Sequence, residues 1–148
     1  MKRKIVYVDM DGVLADFMSA VEEHPEYAQY LETDSVDTIP GIFEDLKPIT
    51  GAVEAFNKLA SIYDVYILST APWDNPDAWT HKRKWVEKYL GEFAYKKLTL
   101  SHHKHLLMGD YLIDDRPNNG ADKFTGEWIK FGSEEYPNWR TILNYLLK

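Results

Sequence analysis

Five short apolar runs punctuate the chain, at residues 4–8, 65–69, 97–100, 111–113 and 128–131. Most are near-continuously hydrophobic rather than alternating, the pattern of strands covered on both faces. Between several of them the apolar residues recur at helical spacing. Residues 52–61 place Ala52, Val53, Phe56, Leu59 and Ala60 on one stripe. Residues 77–90 do the same with Trp79, Val86, Tyr89 and Leu90, and stop at Gly91, a residue suited to the position after a helix. A third pattern over 138–147 predicts a closing helix. Alternating strands and helices predict an α/β fold with a parallel, doubly wound sheet.

Residues 17–48 break the alternation. The stretch begins with helical spacing (Phe17, Met18, Val21), meets Pro25, and passes through an acidic, aromatic segment to Pro40-Gly41. It is too long for a simple strand–helix connection, and loops at strand ends carry function more often than strands do. The expectation is a core of residues 1–16 and 49–148 with a small helical cap, 17–48, lying over a site. A surface excursion with no role is the bland alternative.

Bulk properties narrow the functional classes. A chain of 148 residues suits one domain with a substantial core. A net charge of −7 gives no electrostatic footprint for a polynucleotide. A small anionic substrate can still bind where a metal and a local Lys or Arg reverse the field. The absence of cysteine excludes disulfides, thiolate metal sites and a thiol nucleophile, and suits a cytoplasmic setting. Met1-Lys2-Arg3-Lys4 mimics the start of a signal peptide, but too few apolar residues follow before Asp9. No segment reaches transmembrane length, so no membrane partner is expected.

The chemistry concentrates at strand ends. Asp9-Met10-Asp11-Gly12 follows the first apolar run directly. As a plain turn it would be ordinary, since Asp and Gly both form turns. Two carboxylates so close repel unless a cation or a shared proton compensates, and Gly12 lets the chain bend so that both can face one site. Ser69-Thr70 end the second run before Pro72, offering a hydroxyl and free N–H groups to phosphate oxygens, although Ser and Thr at strand ends are more often local turn formers. Lys104 follows the third run; a lone Lys is nearly always solvated, and its claim rests on position, because phosphoryl transfer needs a fixed cation. Asp114-Asp115 close the fourth run, where adjacent acids are hard to explain structurally but suit a hard cation such as Mg²⁺. Arg116 could pair with one of them.

This order of motifs resembles the haloacid dehalogenase superfamily of Mg²⁺-dependent phosphatases. Asp9 matches the family nucleophile, Asp11 the general acid/base, Thr70 the hydroxyl motif, Lys104 the phosphate-binding lysine and Asp114-Asp115 the metal-binding pair. The segments 9–17, 84–91 and 112–117 look like the 5′(3′)-deoxyribonucleotidase branch in particular. The resemblance implies a Rossmann-like core with strand order 5-4-1-2-3 and a cap after the first strand. It implies an aspartyl-phosphate mechanism on a deoxyribonucleoside monophosphate, a metal site of Asp9, Asp11 (through its carbonyl) and Asp115 or Asp114, with Asp115 favoured, and Phe17 beside the base. Three departures bear on specificity: a short cap, Ala71 where a second hydroxyl often stands, and Asp74 where a basic residue would grip phosphate.

Other residues invite a functional reading that their spacing does not support. His102, His103 and His105 suggest zinc, but the first two cannot share a face. The basic run His81-Lys82-Arg83-Lys84 reads as a solvated helix face. Trp73 could stack on a base or pack beneath the cap. Two rival functions remain at this point. One is a phosphatase for sugar phosphates or other small monoesters, since fold does not fix substrate. The other is a phospho-accepting signalling module, disfavoured because Asp11 is placed to make a phospho-enzyme turn over.

Overall fold

The computed structural model describes residues 2–148. A five-stranded parallel sheet forms its centre: β1 (Ile5–Val8), β2 (Asp64–Ser69), β3 (Leu98–Leu100), β4 (Tyr111–Asp114) and β5 (Glu127–Lys130). The spatial order is β3-β2-β1-β4-β5. This is the order expected, counted from the other edge. Each strand lies within a residue or two of its predicted run. β1 is central, and its Val6, Val8 and, across the ladders, Val65, Ile67, Leu112 and Ile113 are all buried, as the unbroken apolar runs require.

Helices cover the sheet. These are α1 (Phe17–Glu23), α2 (Tyr27–Leu31), α3 (Ala52–Ala60), α4 (Pro76–Leu90) and α5 (Trp139–Leu146). Pro76 occupies the first turn of α4, where its missing N–H costs nothing. Gly91 ends that helix with φ 53°, a conformation that a β-carbon would oppose. Asn138 caps α5, its Oδ1 accepting from the Thr141 N–H at 3.0 Å. No helix of the described residues is long and apolar enough to cross a membrane.

From β1 the chain winds through β2 to β3, then crosses back to β4 on the far side of β1. Open α/β sheets bind ligands at the carboxyl edge beside such a reversal. Residues 17–48 leave and rejoin the core at that edge. Their two ends lie side by side: the Asp16 N–H donates to the Lys47 carbonyl and the Ile49 N–H to the Leu14 carbonyl, both at 2.8 Å. Within the segment are α1, α2 and a 3₁₀ turn at Val36–Thr38. Ile39, Phe43 and Leu46 are buried in the same hydrophobic cluster as the sheet. Buried polar groups stitch the segment down: Trp85 Nε1 donates to the Leu46 carbonyl at 2.7 Å, and Asn75 Nδ2 to the Asp37 carbonyl at 3.0 Å.

Candidate active site

The first strand delivers two carboxylates. The Asp9 N–H still belongs to the sheet, donating to the Ile113 carbonyl at 2.8 Å. Beyond it the backbone wraps around the Met10 carbonyl, which accepts from Leu14 and Ala15, each at 2.8 Å. Gly12 makes this turn possible with φ 80°. It also makes room: a β-carbon there would overlap the Asp115 carboxylate. The glycine therefore serves the turn and the approach of β4's acid to β1's acids.

Lys104 is buried, not solvated. Its 3₁₀ turn, Lys104–Leu106, folds against the loop after β4, where the Lys104 N–H donates to the Asn119 carbonyl at 2.7 Å. Its Nζ donates to Asp9 Oδ1 at 2.9 Å and to Asp114 Oδ2 at 2.6 Å. Asp114 also accepts the Arg116 N–H at 3.2 Å. Arg116 thus steadies the acid through its main chain, whereas a guanidinium pair had been the alternative; its exposed side chain forms no ion pair among the described residues. Thr70 Oγ1 donates to the Ser101 carbonyl at 2.7 Å, tying the ends of β2 and β3 together at the site's edge.

A second lysine reaches the site, one that the basic run 81–84 disguises. Lys82 was expected on a solvated helix face, but its side chain is fully buried and pairs with Asp11 Oδ2 at 2.7 Å. It also donates to Ser69 Oγ at 2.9 Å, and its Nζ lies 4.6 Å from the centre of the Phe43 ring. The reason is periodicity. Lys82 shares its face of α4 with buried Ala78, Trp85 and Val86, at the spacings of four, three and four residues that align along a helix. Only Arg83 and Lys84 of the run are exposed charges. That shared face was the available signal, obscured by three cations written in a row.

The charges do not balance. Asp9, Asp11, Asp114 and Asp115 face two buried ammonium groups, which leaves two negative charges in excess. Burial first, then Asp114 and Asp11, push the Asp9 carboxyl up to about 7 despite Lys104. Burial and the Asp9 charge raise Asp115 to about 6. Asp114 is raised by burial, against the pull of Lys104. Lys104 itself would be lowered by burial, but Asp9 and Asp114 outweigh that and raise it. All four shifts run upward: burial leads for the acids, and the excess of carboxylates over cations raises the lysine.

A divalent cation fits this set. Asp9, Asp114 and Asp115 each bring one oxygen within 4.8 Å of the others. Asp115 Oδ1 is buried with no hydrogen-bond partner among the described residues, while both oxygens of Asp114 are already engaged. Oxygen-only donors of this kind suit a hard ion. The three histidines do not join them: His102 packs on Trp73 and Trp79, while His103 and His105 point outward.

Outside the carboxylates a cleft of about 530 Å³ is lined both by residues 17–48 and by the loops at the strand ends, with Asp11, Phe17, Thr70, Trp73 and Asp115 among its walls. Phe17 stacks on Phe43 with ring centres 4.9 Å apart and planes 3° apart. Trp73 does not pack beneath the segment; it is 77% exposed at the cleft's edge, contacting Trp79 and His102 edge-on.

Known proteins share this sequence and this fold. The family described as 5′ nucleotidase, deoxy (pyrimidine), cytosolic type C protein matches residues 24–142. A Vibrio phage KVP40 protein bearing the name "Putative 5′(3′)-deoxyribonucleotidase" is 52% identical over 144 residues, covering 97% of this chain and 85% of that one. The human cytosolic-type 5′(3′)-deoxyribonucleotidase is 31% identical over 93% of this chain and 78% of its own length. Among solved structures, the Bacillus subtilis hydrolase YfnB, of the haloacid dehalogenase class and bound to magnesium, superposes with a TM-score of 0.70 at 12% identity, with both chains fully covered. A haloacid dehalogenase-like hydrolase from Streptococcus pneumoniae gives 0.59 at 13%, over 97% of this chain and 91% of that one. Fold, motif order and sequence agree: this chain belongs to the 5′(3′)-deoxyribonucleotidase family, phosphoric monoester hydrolases built on the haloacid dehalogenase fold.

Proposed function

We propose that the chain is a Mg²⁺-dependent phosphatase that releases inorganic phosphate from deoxyribonucleoside monophosphates by way of an aspartyl-phosphate on Asp9. The observation that carries the mechanism is the buried Asp9–Lys104–Asp114 bridge at the carboxyl edge of β1 and β4. Lys104 holds one oxygen of Asp9 and so orients the other toward a phosphorus atom. Attack forms the Asp9 O–P bond and breaks the ester P–O bond. Asp11 gives its proton to the departing alkoxide. A water then attacks the phosphorus, Asp11 takes its proton, and Asp9 and inorganic phosphate are released.

Lys104 and the Thr70 hydroxyl lie where they can contact the non-bridging oxygens. Mg²⁺ would be held by Asp9, the Asp11 carbonyl and Asp115, with Asp114 holding Lys104 beside them, and would supply positive charge to those oxygens. The unpartnered oxygen of Asp115 and the saturated Asp114 support that division. Residues 17–48 act as the cap, and Phe17 and Trp73, which both line the cleft, offer flat apolar surface for the nucleobase. The cysteine-free chain suits a cytoplasmic setting.

The test is phosphate release, with Mg²⁺ and with EDTA, across deoxy- and ribonucleoside 5′- and 3′-monophosphates and common sugar phosphates. D9N protein gives the background. Metal-dependent release favouring deoxynucleotides is expected. Release only from other esters would discard the nucleotide and keep the mechanism. Stable phosphorylation of Asp9 without turnover would discard the phosphatase.

A further inference from the structure

Lys82 has no part in the scheme above, yet it is the most buried charge among the described residues and it touches the acid/base. An ammonium has three protons to place. Asp11 takes one at 2.7 Å, Ser69 takes another at 2.9 Å, and the Phe43 ring lies 4.6 Å away on a further side. Asp11 is left in an asymmetric state. Its Oδ2 is held by Lys82, while its Oδ1 is buried with no hydrogen-bond partner among the described residues. Unsatisfied buried oxygens are few in folded proteins, and each calls for an explanation. A buried ion pair is also a weak device for stability, because desolvation offsets most of the attraction.

We propose that Lys82 is a positioning residue for Asp11: by holding Oδ2 it fixes the orientation from which the carboxyl gives a proton to the leaving alkoxide and later takes one from water. The assignment rests on the phosphatase reading of the site. Lys82 acts through Asp11 and not on phosphate, since its donors already face Asp11, Ser69 and Phe43. The clamp is anchored on three elements: the end of β2 through Ser69, helix α4 through its own backbone, and residues 17–48 through Phe43. Phe43 in turn stacks on Phe17, which lines the cleft. The acid/base and the aromatic wall of the cleft therefore share one fixed point.

K82M, which keeps the length of the stem and removes the charge, tests this with two substrates in the presence of Mg²⁺. With dUMP the leaving alkoxide needs a proton; with p-nitrophenyl phosphate the leaving phenolate does not. Misplacing a proton donor by an ångström or so lowers kcat about 100-fold, so kcat on dUMP should fall by that much with KM changed less than about threefold. On p-nitrophenyl phosphate the first burst of nitrophenolate should keep its rate within about threefold, followed by slow turnover, because only the second step still needs Asp11. D11N/K82M should be no slower than D11N. A dUMP kcat within about threefold of the parent would overturn the proposal. So would a burst that slows as much as dUMP turnover, the mark of a merely structural lysine, or a further loss on adding K82M to D11N. Should K82M alone fail to fold, D11N/K82M removes both charges together, and its burst against that of D11N decides the matter. A parent enzyme that hydrolyses the nitrophenyl ester but not dUMP refutes the nucleotide alone, and the ester then decides the role of Lys82. Hydrolysis of neither refutes both.

Discussion

Lys104→Met isolates the electrostatics on which the site depends. The substitution keeps the stem and removes an ammonium 2.9 Å from Asp9 and 2.6 Å from Asp114, two residues only 6% and 2% exposed. Without it, those acids must stay charged in a poorly solvated place or take up a proton. Protonating one carboxyl whose ordinary value is 3.8 costs about 1.36 kcal/mol per pH unit, hence about 5 kcal/mol near pH 7.5 and about 2 kcal/mol near pH 5.5. Breaking one side of a buried ion pair costs about 3–5 kcal/mol, which sets the same scale. Asp9 already sits near 7 in the parent, which meets part of that cost, so the expected destabilisation is about 3–5 kcal/mol near pH 7.5 and about 1 kcal/mol less near pH 5.5.

The sign follows from linkage. Raised carboxyls make the folded state bind more protons than the unfolded one, so their stabilising contribution is complete below the unfolded value of 3.8 and is lost as pH rises. The parent slopes the same way because Asp9 already sits near 7, and the variant should slope more steeply. Urea unfolding of both proteins in EDTA at the two pH values measures the difference. A loss below about 1 kcal/mol near pH 7.5, or an equal loss at both pH values, would show that Lys104 does not compensate buried charge.

Two further outcomes concern the metal. Gly12→Ala puts a methyl group into the Asp115 carboxylate and an L residue at φ 80°, so it should cost about 1–2 kcal/mol of stability and weaken Mg²⁺ binding about tenfold or more by calorimetry; unchanged affinity would remove Asp115 from the ligand set. Since Asp115 is raised to about 6 and Asp9 to about 7, protons compete with the cation there, and Mg²⁺ affinity should fall as pH drops through that range, by about tenfold per unit for each proton displaced. Titrations in buffers of different ionisation heat should show protons released on binding at pH 6 and fewer at pH 8; constant affinity across that range would contradict the raised carboxyls.

Local chemistry made much of this molecule legible in one dimension. A strand buried on both faces has to be apolar along its whole length, so the five runs stood out and their alternation with helical periodicity implied the sheet. Asp9, Asp11, Thr70 and the Asp114-Asp115 pair were legible for a related reason: each sits where an apolar run stops, the edge at which a parallel sheet exposes its ends. Gly91 marks the end of α4 through its own backbone geometry.

What the tertiary structure decided were matters of charge and contact between distant residues. A lysine reads the same in sequence whether it points to water or into a core, and burial separated Lys82 and Lys104 from the other cations. Asp114 and Asp115 are neighbours of identical chemistry; Lys104 and the Arg116 N–H engage one and leave an oxygen of the other unpartnered. Phe43 lay in a segment with little periodic signal, and only folding brought it between Phe17 and Lys82. The chain's local pattern determines where its elements and their ends lie, because those depend on neighbours in sequence. Which of two lysines or two aspartates is neutralised, and by what, depends on partners tens of residues away, and that is decided when the sheet's edge is assembled.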